Sequence, residues 1–112
     1  DFFGLYGIKS ISLTNSTITG VHCAFHVTAL ENMKLDNNFI HHNAYGFMMY
    51  GSADKGTRTI TNTRIENNDV GFDEESSSTH NGAILISRSS IKSNGRDLGL
   101  YTGQVKIVEP IK

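Results

Sequence analysis

A short acidic run, residues 71–75 (GFDEE), carries the clearest capacity for acid–base chemistry in the chain. Asp73 and Glu75 lie two positions apart, so on an extended strand they share one face with backbones ~6.6 Å apart. This spacing is close to the ~6.5–9.5 Å that separates the two carboxyl groups of inverting glycosidases. The run is equally compatible with a solvated acidic edge, or with a Ca²⁺ site that adds Asp69 and loop carbonyls.

Two adjacent histidines raise the question of a metal site. A zinc ion needs three or four converging ligands, and only His22, His26 and Cys23 add further local candidates to His41 and His42. Neighbouring side chains on an extended strand point to opposite sides. We therefore favour a solvent-facing stack of polar side chains over a metal site.

These residues sit within a repeated frame, N-x-x-I-x-x-N-x-x-G, that must position them. Residues 37–46 and 62–71 match the frame in full, and residues 15–24 and 88–97 match it in part. Its isoleucines are spaced 22, 25 and 26 residues apart: Ile18, Ile40, Ile65 and Ile91. A period in the twenties with short apolar alternation and no helical pattern predicts a β-solenoid, because stacked coils bury what one coil cannot.

From about Phe3 to Ile107, this pattern resembles the right-handed parallel β-helix family, the pectate-lyase-like solenoids. The resemblance implies one all-β domain over residues 1–112, with about four to five coils, and we expect the chain to be a segment of a longer protein. It also implies two asparagine ladders: Asn15, Asn37 and Asn62, and Asn43, Asn68 and Asn94. Gly46 and Gly71 are expected at bends with positive φ.

The strand that follows each repeat's glycine presents two outward columns. The first contains Gly4, His26, Met48, Asp73 and Gly99. The second contains Tyr6, Thr28, Tyr50, Glu75 and Tyr101. Aromatic rings beside carboxylates suit sugars, and in the resembled family this face commonly forms the polysaccharide groove. We therefore predict catalytic roles for Asp73, Glu75 and His26, and substrate binding by Tyr50, Tyr6 and Tyr101.

The two longest connections, residues 51–58 and 75–82, follow this strand and carry Lys55, Arg58 and His80. We expect them to form a wall of the groove and to bind substrate, since functional residues favour loops on a rigid scaffold; solvated turns are the alternative. Glu74 points inward in this register, and a buried unpaired carboxylate is costly. A strand bulge, or a register shifted by one, is expected there.

The same segment resembles the Tyr-Gly-Phe-Asp-Pro-His motif of the mannuronan C5-epimerase branch of this fold. Residues 71–73 match that motif, whereas Val70, Glu74 and Glu75 replace its tyrosine, proline and histidine. The missing histidine puts epimerase activity in question.

Composition narrows the function classes. The net charge of −1 provides no basic footprint for nucleic acid, no apolar run reaches the ~20 residues of a membrane span, and Cys23 is the single cysteine. We predict a carbohydrate-active β-helix that acts on or binds polysaccharide as a lyase, hydrolase or epimerase, with no cofactor unless calcium is bound. The alternative is a non-catalytic structural or sugar-binding segment of a phage tailspike or cell-surface protein. An extracellular or virion-surface location, and a homotrimer or flanking domains, are expected.

Overall fold

The computed structural model describes residues 2–28, 30–52, 56–80, 84–99 and 105–107. For residues 6, 50–52, 74–80 and 105–107 it describes the backbone only. These residues form fourteen short strands: β1 (Phe3–Tyr6), β2 (Ser10–Thr14), β3 (Thr17–Thr19), β4 (Cys23–Thr28), β5 (Asn32–Asp36), β6 (Phe39–His41), β7 (Tyr45–Ser52), β8 (Arg58–Thr61), β9 (Arg64–Glu66), β10 (Val70–His80), β11 (Ile84–Ser87), β12 (Ser90–Lys92), β13 (Arg96–Gly99) and β14 (Val105–Ile107). In this part of the chain no helix has the length and apolar character needed to cross a bilayer.

The strands stack into three parallel sheets, one for each side of a solenoid. Sheet A has the order β1-β4-β7-β10-β13, sheet B the order β2-β5-β8-β11-β14, and sheet C the order β3-β6-β9-β12. The predicted all-β parallel solenoid is confirmed. From β3 to β12 the chain makes about three full turns, so the expected four to five coils is slightly high. The strands at either end belong to incomplete coils.

The core consists of the predicted apolar columns. The isoleucines of the repeated frame are successive register partners and all are buried: Ile18, Ile40, Ile65 and Ile91. Sheet A adds a stack of phenylalanine rings with centroids 5.2, 5.1 and 4.8 Å apart: Phe3, Phe25, Phe47 and Phe72. Burying each such side chain stabilises the fold by about 1.5–3 kcal/mol. Phe25 and Phe47 each stack between two rings, so each contributes to two interfaces.

Left-handed backbone at the turns is concentrated in two columns, which are not the columns of Gly46 and Gly71. In the described chain, every residue other than glycine that has a positive φ lies in one of these two columns. The first column contains Asn15, Asn37, Asn62 and Arg88. The second contains Gly20, His42, Asn67 and Ser93. The expectation of positive φ at Gly46 and Gly71 is therefore wrong. They lie in β7 and β10, where an added Cβ would come 2.6 Å from Gly71 O and 2.7 Å from Asn94 Nδ2, respectively. Both positions need glycine for space.

The predicted ladder through Asn43, Asn68 and Asn94 is confirmed. Asn68 Oδ1 accepts from Asn43 N and Nδ2, both at 3.0 Å, and Asn94 Oδ1 accepts from Asn68 N at 2.9 Å and Nδ2 at 3.0 Å. Asp97 Oδ1 then accepts from Asn94 N and Nδ2 at 3.0 Å. A carboxylate within the last coil thus provides the acceptor that another asparagine provides in the earlier coils.

The other predicted ladder lies on the surface and is only partly formed. Asn37 Nδ2 donates to Asn15 Oδ1 at 2.7 Å, but Asn62 Nδ2 donates to Asp36 Oδ1 at 2.9 Å. A ladder of mixed polar residues, buried from Asn38 onward, runs beside it through Ser16, Asn38, Thr63 and Ser89. The side-chain oxygens of Asn38, Thr63 and Ser89 each accept a backbone N–H from the preceding coil, which satisfies the turn.

Candidate functional site

The outward column on sheet A has the predicted register. Its successive partners are Gly4, His26, Met48, Asp73 and Gly99. Asp73 and Met48 are nearly buried, and His26 is half-buried. Because Met48 lies between them, His26 and Asp73 are two coil spacings apart, or ~9.6 Å along the stack. The two predicted catalytic residues therefore share a face without being adjacent.

An arginine missed at the sequence level completes the surroundings of Asp73. Arg96 Nη2 lies 2.8 Å from Asp73 Oδ1, and the Arg96 side chain is 58% exposed. A Cβ at Gly99 would collide with that carboxylate oxygen and crowd the guanidinium, so Gly99 makes room for the ion pair. The sequence did carry a signal: Arg96 is a charged residue at a column position that Cys23, Tyr45 and Val70 occupy in the earlier described coils.

Only the backbone is described for several predicted site residues. Tyr6, Tyr50, Glu75 and His80 lie in β1, β7 and β10, and their side chains are outside the described part. Lys55 and Tyr101 lie outside the described residues altogether. Their roles stay predictions.

The expected bulge in the acidic strand is confirmed. Glu74 pairs with Met49, and pairing resumes only where Thr79 meets Gly51, so β10 has three extra residues between the two pairs. This corrects the loop expected from residue 75 onward, because β10 continues to His80. An extra-residue bulge bends its strand and re-aims the side chains around it.

Arg58, expected on the groove wall, lies in the core instead. It begins β8 in register with Met33 and Ile84 and is 2% exposed. Its Nη1 donates to Leu30 O at 3.2 Å and also to Glu31 O. Desolvation by burial lowers the pKa of Arg58. This position suits a structural role and corrects the predicted substrate contact.

Sheet C carries a second polar cluster on its outer face. Arg64 Nη2 contacts Glu66 Oε1 at 3.0 Å, and Ser90 Oγ donates to Glu66 Oε2 at 2.6 Å. The Arg64 guanidinium lies 4.0 Å from the centroid of the Phe39 ring. The hydrogen bond from Arg64 is the main cause that lowers the pKa of Glu66, with Ser90 and Lys92 contributing against the opposing effect of desolvation. Glu66 is thus held as a carboxylate.

A pocket of about 330 Å³ opens over this cluster, with Asn62, Thr63, Arg64, Glu66, Arg88, Ser90 and Lys92 as its lining. His41, Glu66 and Lys92 form one column, as predicted. The rings of His41 and His42 do not point to opposite sides: their Nδ1 atoms are 2.7 Å apart, because His42 has a φ of 55° and is not extended. Among the residues that the structure describes, no three His, Cys, Asp or Glu side chains converge as a metal site.

Comparison with known proteins yields a family but no individual relative. No curated protein matches the chain, and no solved structure matches it. The family model described as a right handed beta helix region matches residues 2–108, almost the whole chain. Together with the three parallel sheets and their buried columns, this match shows that the chain belongs to the right-handed β-helix family.

Proposed function

We propose that this domain binds polysaccharide along the outer face of sheet A, with Asp73 and Arg96 as its central polar contacts. The observation that supports this proposal best is the ion pair itself, which joins a nearly buried carboxylate to an arginine exposed at the surface. A carboxylate accepts hydrogen bonds from sugar hydroxyls, and a planar guanidinium donates to hydroxyls or uronate carboxylates. The pair therefore offers both kinds of polar contact that a sugar ring needs.

The shape of sheet A favours an extended ligand. Five parallel strands at ~4.8 Å spacing form a ribbon of ~19 Å, long enough for several sugar units. The His26–Met48–Asp73 column runs along this ribbon and places an apolar side chain, Met48 at 8% exposure, between two polar groups. Such an alternation suits a pyranose chain, whose rings present both C–H faces and hydroxyls.

Binding is favoured over turnover by two features of the same residues. Asp73 Oδ1 accepts from Arg96 Nη2 at 2.8 Å, an arrangement that orients the carboxylate as a hydrogen-bond acceptor for a ligand. His26 is ~9.6 Å from Asp73 along the stack, too far for the two to form a hydrogen-bonded proton-transfer pair. Lyase, hydrolase and C5-epimerase activities stay alternatives that depend on Glu75 and Tyr50. The Gly71-Phe72-Asp73 match speaks for the epimerase alternative, and the missing histidine of that motif speaks against it.

We extend the proposal to the setting of the domain. A polysaccharide ligand fits an extracellular location or a virion or cell surface. Phe2 is 54% exposed beside β1, an edge strand of sheet A. This exposed ring and strand edge support a contact with a neighbouring copy, as in a homotrimer, or with a flanking domain.

A panel of neutral and uronate polysaccharides tests the proposal by affinity measurement. We expect at least one polymer to bind, and Arg96→Gln and Asp73→Asn each to weaken that binding about tenfold. Lys34→Gln, a charge change on an exposed residue of sheet B, is the matched control and should leave affinity unchanged. Absorbance of unsaturated products and reducing-end release from the same mixtures would reveal turnover. A panel without any ligand, or equal affinity in all variants, would refute the proposal.

A further inference from the structure

The pocket on sheet C lies on another side of the solenoid from the proposed polysaccharide face and has its own charge. Arg64, Arg88 and Lys92 line it together with one acid, Glu66, so its lining is net positive in a chain whose overall charge is −1. A concavity lined by one sign of charge concentrates ligands of the opposite sign. The ligand of this pocket should therefore be an anion.

Arg64 is fixed in place before any ligand arrives. Its Nη2 and Nε lie 3.0 and 3.4 Å from the Glu66 carboxylate, and its guanidinium stacks on Phe39. Glu66 is nearly buried and is held in turn by Ser90. The Arg64 side chain is nevertheless 57% exposed. A guanidinium has five N–H donors, so a fixed and exposed one can contact a further anion with little loss of side-chain entropy.

Lys92 supplies the second charge at this site. It is exposed, it is the register partner of Glu66, and its charge acts on the Glu66 carboxylate. Arg88 is a weaker contributor, because its charge also acts on Asp36, which lies two coils away along the stack. The inference therefore depends on Arg64 and Lys92.

We propose that this pocket is a second ligand site, which binds the carboxylate or sulfate group of an acidic saccharide between Arg64 and Lys92. The anionic group follows from the lining charges, whereas the saccharide rests on the function proposed above. The pocket volume of about 330 Å³ lies at the lower end of the ~300–1,000 Å³ range of small-molecule sites, which suits one sugar unit. The two sites could thus contact different parts of a charged polymer.

Amide chemical shifts of the full chain, followed at low salt during titration with sulfate, glucuronate and glucose, test this site directly. Sulfate and glucuronate should shift Glu66, Ser90 and Lys92, whereas glucose should not. Lys92→Gln should weaken glucuronate binding about threefold or more, and Arg88→Gln somewhat less. Lys34→Gln is the matched control, and raising the ionic strength should weaken binding because the charges are exposed.

The possible outcomes separate this inference from the proposed function. Arg96→Gln should leave the glucuronate shifts at Glu66, Ser90 and Lys92 unchanged even where it abolishes polymer binding. Equal shifts with glucose, or an unchanged dissociation constant in Lys92→Gln, would overturn the anion site. Shifts with sulfate alone would overturn its assignment to a saccharide.

Discussion

Arg58 is a charged side chain in the core of a solenoid, between Met33 and Ile84 of the adjoining coils. Its guanidinium reaches the carbonyls of Leu30 and Glu31, where the chain enters β5. A buried charge is tolerated only when its donors are used. Arg58 therefore connects two successive coils at a point where the backbone would otherwise have unsatisfied acceptors.

We expect Arg58→Ala to lower the free energy of unfolding by about 3 kcal/mol, because it opens a cavity and leaves carbonyl groups without a donor. Arg58→Met keeps most of the volume and should cost about half as much. Urea denaturation of the two variants and the wild type measures both values. A methionine variant as stable as the wild type would show that burying the guanidinium costs as much as its hydrogen bonds contribute.

Glu66 should make stability depend on pH on the acid side. Its folded-state pKa lies below the ordinary value of 4.5, chiefly because Arg64 donates to it. A lowered folded-state pKa stabilises the protein at pH values above about 4.5, and this contribution is lost as the pH falls through the folded-state value. Melting temperatures from pH 7 to pH 3 should therefore fall less in Glu66→Gln than in the wild type.

Asp36 provides the comparison for this pH effect. Hydrogen bonds from Asn62 and Thr61 also lower its pKa, but it is only half-buried, whereas Glu66 is nearly buried. Asp36→Asn should therefore reduce the fall in melting temperature between pH 7 and pH 3 by less than Glu66→Gln does. If the melting temperatures of the wild type and Glu66→Gln fell by the same amount as the pH is lowered below 4.5, the role assigned to Glu66 would be contradicted.

At the scale of elements, the buried asparagine ladder connects the turns between sheets C and A. Asn68 is nearly buried, and its side chain makes five hydrogen bonds with described neighbours. Asn37 is exposed, makes one ladder bond to Asn15, and has a φ of 58°. The two asparagines occupy similar positions in the sequence repeat, but their different burial predicts different contributions to the free energy of unfolding.

We expect Asn68→Ala to lower the free energy of unfolding by about 3 kcal/mol, because partners of its amide in the neighbouring coils are left buried and unsatisfied. Asn37→Gly, which accepts the same left-handed backbone, should cost less than about 1 kcal/mol. Thermal and urea denaturation of the pair provide the comparison. Equal costs would mean that the turn conformation, and not the buried ladder, dominates.

The columns of the solenoid could be predicted because each depends on local alternation and a near-constant period. Ile40 and Ile65 occupy equivalent positions in two copies of one frame, and β6 and β9 pair them as expected. The reason for Gly46 could not be read in the same way. Its requirement comes from the carbonyl of Gly71 one coil away, a distance that no local pattern encodes.

The candidate site was less predictable than the fold for a similar reason. The position of Asp73 on an outward column followed from the period, but its ion pair with Arg96 depends on side-chain conformations and on the space at Gly99. Arg58 belongs by register to an inward column, yet its charge suggested a surface role. Period determines which residues align, whereas packing determines what each one contacts.

At the scale of the whole molecule, each coil packs mainly against the coil before it and the coil after it. In sheet C, β9 lies between β6 and β12, whereas β3 is at the edge. Stability in such a stack is approximately a sum of coil terms and nearest-neighbour interface terms. The same substitution should therefore have different consequences in the middle of the stack and at its end.

Ile65 and Ile18 allow this to be tested, because both are buried and belong to one column. We expect Ile65→Ala to cost about 3–4 kcal/mol, since it opens a cavity between two neighbouring coils, and Ile18→Ala about 2 kcal/mol at the edge. Amide hydrogen exchange should show protection lost across β6, β9 and β12 in the first variant, but only across β3 and β6 in the second. Equal costs with the same loss of protection throughout would instead indicate that the coils unfold as one cooperative unit, so that the position of a coil in the stack would not matter.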